Sequence, residues 1–148
     1  MKLAGLQFPV FKPYGLPTIE IYISGCNKNC DGCCSPELKD FNYGDELILD
    51  VIGRFLIKHS GLYDIVSVLG GDLLAQDETE AMAFSVYLKT YLQPKGIKMW
   101  LFTGENKVPD WCKQYYDVIK YGEYDKSKCQ ATFPASSNQK VIYKGKDY

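Results

Sequence analysis

TIEIYISGCNKNCDGC, residues Thr18 to Cys33, is the stretch of sequence that decides the fold. Its first half alternates isoleucine with other residues and is rich in β-branched side chains, a pattern typical of a strand over Thr18–Ser24. Its second half begins at Gly25 and combines cysteine with Gly, Asn and Asp, which are loop residues. The stretch therefore predicts a strand that ends in a cysteine-rich loop.

Helix and strand patterns alternate through the rest of the chain. Helices are predicted over Asp45–His59, from an Asp77 cap with Glu80 three residues on, and over Pro109–Tyr116. The second of these helices would bury Ala81, Phe84, Leu88 and Tyr91. Further strands are predicted over Tyr63–Leu69, Ile97–Thr103 and Asp117–Tyr121, whereas the tail from Gly122 is polar and reads as irregular. This alternation favours one α/β domain over residues 1–148, with a mainly parallel sheet and right-handed crossovers.

Charge and hydropathy exclude two classes of partner. Lys+Arg 17 against Asp+Glu 18 gives a net charge of −1, so electrostatic attraction to nucleic acid or to an anionic membrane is not expected. No apolar run approaches the roughly 20 residues that span a bilayer, and Met1–Tyr14 lacks the continuous apolar core of a signal peptide. The sequence therefore predicts a cytoplasmic protein.

Cysteine spacing predicts a metal site. Four of the six cysteines lie between Cys26 and Cys34, and crowding of this kind in a reducing compartment indicates metal ligands rather than disulfides. Cys26, Cys30 and Cys33 form a C-x3-C-x2-C array, and three thiolates can hold a 4Fe-4S cluster while leaving its fourth iron open. An open position is what distinguishes a catalytic metal centre from a structural one.

Spacing alone leaves two alternatives to an iron–sulfur cluster. A structural zinc ion takes four ligands, and Cys34, Cys112 or Cys129 could supply the fourth. The cysteines could also be buried and chemically idle. The spacing favours iron and sulfur without deciding the question.

The array and its surroundings resemble a known family. C-x3-C-x2-C after the first strand is the signature of the radical-SAM superfamily, and SGCNKNCDGCCSPEL over Ser24–Leu38 resembles the activating proteins of anaerobic (class III) ribonucleotide reductases. Similar motifs follow in that family's order at Phe8–Val10, Leu69–Asp72, Trp100–Gly104, Asp117–Tyr124 and Ser136–Gln139. Departures are Cys34 for an aromatic residue, Ser35 for Asn, Leu73 for Pro, and Gly15–Pro17 for a Gly-Pro-Gly motif with a basic residue. The resemblance implies a partial (β/α) barrel.

The resemblance also implies a set of site residues. The cluster ligands would be Cys26, Cys30 and Cys33. S-adenosylmethionine (SAM) would be bound through its methionine end by Gly70, Gly71 and Asp72, and on its adenosyl side by Gly32 and Cys34. Asp72 could instead simply cap the segment after it, and Asn138 and Gln139 could touch SAM or the partner, or belong to a solvated tail.

The activity implied by the resemblance is reductive cleavage of SAM to a 5′-deoxyadenosyl radical, which takes a hydrogen atom from a glycine of the partner. That partner would be the glycyl-radical subunit of an anaerobic ribonucleotide reductase, with an electron donor such as a flavodoxin. Two alternatives are a small radical-SAM enzyme acting on another peptide or glycyl-radical enzyme, and a zinc- or cluster-bearing interaction module. His59, the one histidine of the sequence, is expected to complement the helix dipole at the end of its helix. Cys112 and Cys129 are expected to be ordinary half-buried residues.

Overall fold

A computed structural model describes residues 1–28, 30 and 36–148 of the chain. Its strands and α-helices are, in chain order, β1 (Lys2–Val10), β2 (Thr18–Ser24), β3 (Asp45–Glu46), α1 (Leu49–Lys58), β4 (Ile65–Gly70), α2 (Glu78–Leu92), β5 (Lys98–Phe102), α3 (Cys112–Tyr115), β6 (Val118–Tyr121) and β7 (Lys140–Tyr143). Short 3-10 turns follow the cysteine loop, at Pro36–Lys39, and follow β4, at Leu73–Ala75. The predicted α/β class is confirmed.

The strands of the described residues belong to one sheet, in the order β3-β1-β2-β4-β5-β6-β7. The four central strands β2, β4, β5 and β6 are parallel, whereas β1 and β3 on one side and β7 on the other are antiparallel to their neighbours. The prediction of a mainly parallel sheet is therefore correct for the centre of the sheet, and the sheet as a whole is mixed.

The outer strands are the part of the fold that the sequence patterns miss. The expectation of an irregular tail from Gly122 is wrong for Lys140–Tyr143, because β7 pairs with β6 from Tyr121↔Lys140 to Val118↔Tyr143. Only two of its four residues, Val141 and Ile142, are aliphatic, so the strand is defined by hydrogen bonding to its neighbour more than by its own pattern.

Helix boundaries differ where a strand competes for the same residues. The first helix begins at Leu49 and not at Asp45, because Asp45 and Glu46 pair with Leu3 and Lys2 of β1. The second helix begins as predicted, with the Asp77 carboxylate accepting a hydrogen bond of 3.1 Å from the backbone N–H of Glu80. Its buried face contains Ala81, Phe84 and Leu88 as expected, with Leu92 rather than Tyr91 at its end. The third is only one turn, Cys112–Tyr115.

The two faces of the sheet are packed differently. One face packs against the helices, with Ile19, Ile21, Ile23, Val66, Val68, Met99, Leu101 and Ile119 meeting Ile52, Leu56, Phe84 and Leu88. The other face carries aromatic side chains, among them Tyr14, whose ring centroid lies 4.9 Å from that of Trp100. Glu20 is buried on this second face and accepts hydrogen bonds from the hydroxyls of Tyr14 at 2.6 Å and Tyr22 at 2.5 Å. No helix among the described residues is long and apolar enough to cross a membrane.

The carboxyl ends of the four parallel strands meet at one edge of the sheet. Each strand ends at or shortly before a glycine, namely Gly25, Gly70, Gly104 and Gly122. This edge is where α/β folds bind their ligands, because the loops that leave it converge on one crevice.

Candidate functional site

A cavity of about 310 Å³ lies at this edge, within the range of small-molecule sites. Its described lining comes from the cysteine loop, the ends of β4, β5 and β6 and the tail: Cys26, Lys28, Cys30, Leu38, Lys39, Gly70, Gly71, Gly104, Lys120, Gly122, Tyr124, Ala135 and Gln139. The structure thus brings two of the three predicted cluster ligands together with two of the three predicted SAM-binding glycines, Gly70 and Gly71.

The cysteine loop is closed at its base by backbone hydrogen bonds. The N–H of Gly25 donates to the carbonyl of Leu38 at 2.8 Å, and the N–H of Cys26 donates to the carbonyl of Lys39 at 3.3 Å. Inside the loop, the N–H of Lys28 donates to Cys26 Sγ at 3.4 Å. Cys26 therefore has a fixed backbone and a sulfur that already accepts a hydrogen bond.

Three predicted site residues, Gly32, Cys33 and Cys34, lie outside the described residues. Their roles therefore stay predictions from the sequence. Cys26 and Cys30 are both half-buried.

The Gly70–Gly71 turn packs directly against the cysteine loop. A Cβ atom on Gly71 would lie 2.6 Å from the carbonyl oxygens of Gly25 and Leu38, and one on Gly70, where φ is 114°, would lie 2.7 Å from the Ile23 carbonyl. Only glycine fits two backbones this close together. The N–H of Gly71 donates to Ile23 O at 2.7 Å, so the turn joins the ends of β2 and β4 while facing the cavity.

Asp72, the third predicted SAM contact, has its carboxylate occupied within the protein. It is fully buried and accepts hydrogen bonds from Thr103 Oγ1 at 2.8 Å, from the Gly104 N–H at 2.8 Å and from the Leu74 N–H at 3.0 Å. Burial raises the pKa of this carboxyl above its ordinary value, and the hydrogen bonds from Thr103, Gly104 and Leu74 offset part of that shift. Asp72 is not part of the cavity lining described above, and its role as a cap of the turn after β4 is confirmed.

Lysines are the charged side chains of the described cavity lining. Lys28, Lys39 and Lys120 line the cavity, and no Asp or Glu belongs to its described lining. The Lys28 ammonium lies 3.3 Å from Glu105 Oε2 and 3.5 Å from Glu123 Oε1, and the hydrogen bond to Glu105 is the main reason that its pKa is raised. Two thiols beside three lysines form a suitable environment for a 4Fe-4S cluster, which carries negative charge when bound by thiolates.

Part of the cavity wall was not predicted by the strand and loop patterns. Gln139 is buried, its Nε2 donates to the Gly122 carbonyl at 3.1 Å, and its Oε1 accepts from the Ser136 N–H at 3.1 Å. Asn138 Nδ2 donates to the Glu123 carbonyl at 2.9 Å. The Ser136–Gln139 motif was the available signal, and the alternative of a solvated tail is wrong for Gln139.

The two remaining described cysteines do not reach the cavity lining. Cys112 is fully buried in the core and burial raises the pKa of its thiol to about 12, so it is a packing residue and not half-buried as expected. Cys129 is exposed in the tail. Among the described residues, neither joins Cys26 and Cys30 in a group that could hold a metal ion. His59 lies at the end of α1, where its Nδ1 is 2.9 Å from the Phe55 carbonyl.

Comparison with protein families identifies the family of this chain. No curated protein matches the chain. Residues 15–142 match the family described as the 4Fe-4S single cluster domain, and the match includes the cysteine loop and all four parallel strands. The match supports an iron–sulfur cluster over zinc and agrees with the lysine-lined cavity that holds Cys26 and Cys30. The chain belongs to the 4Fe-4S single cluster domain family.

Proposed function

We propose that this chain is a radical-SAM enzyme that generates a glycyl radical on an anaerobic ribonucleotide reductase. The observation that carries the proposal is the shared cavity, which Cys26 and Cys30 line together with the Gly70–Gly71 turn at the carboxyl edge of parallel strands. The motifs along the chain, from the C-x3-C-x2-C array to Ser136–Gln139, support the same family of activating enzymes.

The cluster would be held by Cys26, Cys30 and Cys33. Bound by these residues and reduced by an electron donor, a 4Fe-4S cluster would supply the one electron needed to split the sulfonium C–S bond of SAM into methionine and a 5′-deoxyadenosyl radical. The chain contributes a fixed Cys26 backbone and lysines in the wall of the cavity.

SAM would lie against the glycine-rich edge of the sheet. Gly70, Gly71, Gly104 and Gly122 present backbone without side chains to the cavity, which permits close approach of a ligand. Gln139 and Tyr124 line the cavity from the segments that follow β6, and they would limit the entry of water. Asp72 supports this site without lining the cavity, because its carboxylate accepts hydrogen bonds from the turn after β4, at Leu74, and from the start of the Gly104 loop.

The partner would complete the site. The described sheet is open, as a partial barrel would be, and the cavity is small. A glycine-bearing loop of another protein can cover the open side and exclude water from the radical. We propose an anaerobic ribonucleotide reductase as that protein and a reducing carrier such as a flavodoxin as the electron donor.

The test begins with the chain alone. Anaerobically reconstituted protein should contain about four irons per chain, and after reduction it should convert SAM to 5′-deoxyadenosine. Cys30→Ala should lose both the iron and the product, whereas Cys129→Ala should keep both. Iron without 5′-deoxyadenosine would refute the radical-SAM assignment and leave a cluster-bearing interaction module.

The second step adds the partner. With the cognate reductase present, a glycyl-radical signal should appear on that protein by electron paramagnetic resonance. Efficient SAM cleavage without this signal would reject the reductase as partner and favour another peptide or glycyl-radical enzyme.

A further inference from the structure

Gln76 contacts the base of the cysteine loop, although no motif in the sequence points to this residue. Its Nε2 lies 3.0 Å from the carbonyl oxygen of Ser24, 3.1 Å from that of Gly25 and 3.0 Å from that of Asp72. The amide orientation follows from these contacts, because the amide oxygen in this place would face three acceptors. One half-buried side chain thus joins the residues before Cys26 to the turn after β4.

These contacts fix the peptide that precedes Cys26. The Gly25 carbonyl accepts from both Gln76 Nε2 and the Asp72 N–H, the latter at 2.8 Å. On the other side, the N–H groups of Gly25 and Cys26 donate to Leu38 and Lys39. The peptide groups on both sides of Gly25 are therefore held, and the starting point of the Cys26 side chain is held with them.

The position of Cys26 in turn determines a hydrogen bond to its sulfur. The Lys28 N–H donates to Cys26 Sγ at 3.4 Å, a contact within a short stretch that begins at the fixed peptide. Hydrogen bonds to the ligand sulfurs help to set the reduction potential of an iron–sulfur cluster, because they stabilise the more negative, reduced state. A change in the peptide before Cys26 is expected to weaken this bond.

We propose that Gln76 is the positioning residue for the cluster ligand Cys26. It acts through the carbonyl groups of Ser24 and Gly25, and it preorganises the loop before a cluster is bound. The inference deepens the proposed function and rests on its assignment of Cys26 as a cluster ligand. It does not depend on SAM or on the partner.

Two variants separate positioning from space filling. Gln76→Leu keeps most of the side-chain volume and removes the donor. Gln76→Glu keeps the shape, but at pH 8 it replaces the donor with a carboxylate that faces three carbonyl oxygens. Loss of an outer hydrogen-bonding partner of a metal ligand typically weakens metal binding by about 10- to 100-fold. Gln130→Leu is the matched control, because Gln130 Nε2 also donates to a carbonyl, that of Pro134 at 2.8 Å, but in the tail.

The experiment uses the reconstituted, cluster-loaded protein without SAM. Two quantities are measured at pH 8, the rate of iron release to a chelator and the reduction potential of the cluster. Release is expected to be fastest in Gln76→Glu, intermediate in Gln76→Leu and slow in wild type and Gln130→Leu. The potential is expected to become more negative in both Gln76 variants. The circular dichroism spectrum should stay that of wild type.

The proposal would be overturned if Gln76→Glu released iron at the wild-type rate and its cluster had the wild-type reduction potential. Iron loss that merely follows a fall in global stability, while the remaining cluster keeps its wild-type potential, would also overturn it. Should Gln76→Glu fail to fold, Gln76→Leu gives the same two measurements. Because neither measurement involves SAM, failure of this inference is distinguishable from failure to form 5′-deoxyadenosine.

Discussion

The hydroxyl of Thr103 donates to the carboxylate of Asp72, with 2.8 Å to one oxygen and 2.9 Å to the other. Asp72 follows the end of β4 and Thr103 follows the end of β5, so the contact joins two neighbouring loops at the cavity edge of the sheet. The Gly104 N–H donates to the same carboxylate at 2.8 Å. The pair therefore fixes the spacing of the Gly71 and Gly104 backbones, which both line the cavity.

Thr103→Val should destabilise the protein by about 1–3 kcal/mol, because it removes a buried hydroxyl donor from a buried carboxylate while keeping the side-chain shape. Urea unfolding of the cluster-loaded protein under anaerobic conditions measures the change. Thr90→Val is the matched control, since Thr90 Oγ1 bonds only to the Val86 carbonyl on the exposed side of α2, and it should change stability by less than about 0.5 kcal/mol. Equal effects in both variants would mean that the Thr103–Asp72 contact adds nothing specific.

A pH dependence follows from the raised pKa of Asp72. Between the ordinary Asp pKa of about 3.9 and the raised value, the folded state binds more protons than the unfolded state. The contribution of Asp72 is therefore fully present below the ordinary pKa, and it decreases as the pH rises through this window.

Asp72→Asn lacks this proton and provides the reference. The free energy of unfolding of wild type minus that of Asp72→Asn should fall as the pH rises above about 4 and then become constant. Urea unfolding of the protein before cluster reconstitution measures it, since the acid lability of the cluster then plays no part. A difference that rises with pH would show that the three hydrogen bonds outweigh burial and lower the pKa.

Local sequence was sufficient for the centre of the fold and for part of the site. β2 and β4 to β6 and the Asp77 cap have strong local patterns, and Cys26 and Cys30 lie beside Gly70 and Gly71 as expected for one site. β1 was missed although its partner β2 follows closely, with Val10 paired to Thr18. β3 and β7 depend on pairing with more distant strands, which no short window of sequence contains. Gln76 was missed for the same reason, because its three acceptors are brought together only by the parallel pairing of β2 and β4.

Gly71→Ala should displace the base of the cysteine loop and lower iron binding. The new Cβ would lie 2.6 Å from the Gly25 and Leu38 carbonyl oxygens, and backbone atoms at this distance have to move. Overpacking of this kind costs about 1–3 kcal/mol or more. Iron content after reconstitution and urea unfolding are the measurements. Gly5→Ala is the control, since a Cβ on Gly5 meets nothing within 4 Å, and it should keep both quantities at wild-type values.

Should Gly71→Ala bind iron normally but lose affinity for SAM, the glycine would serve ligand approach alone, and the close packing against Gly25 would tolerate the methyl group. Wild-type behaviour in iron content, stability and SAM affinity would contradict both roles of the turn.

The tail should affect SAM more than the cluster, and Gln139 allows this to be tested without removing a strand. Truncation before Ser136 would also delete β7, which pairs with β6, so its effect on stability would obscure any effect on the site. Gln139→Ala removes one cavity-lining side chain and its hydrogen bond to the Gly122 carbonyl at 3.1 Å. Without this bond the Gly122 backbone at the cavity is less well held, and a loss of about 1.4 kcal/mol in the free energy of SAM binding corresponds to a tenfold weaker affinity.

We therefore expect Gln139→Ala to keep wild-type iron content and to bind SAM about tenfold more weakly in equilibrium binding to the reconstituted protein. Asn138→Ala is the neighbouring control, because its side chain is exposed, bonds to the Glu123 carbonyl and is not part of the described cavity lining. It should bind SAM like wild type. Gln139 holds the Gly122 backbone at the end of β6. Loss of iron as well as SAM in Gln139→Ala would therefore mean that the substitution disturbs the whole edge of the sheet and not the SAM site alone. Unchanged SAM affinity with normal iron would remove the tail from the binding site and leave the Gly70–Gly71 turn as its main wall.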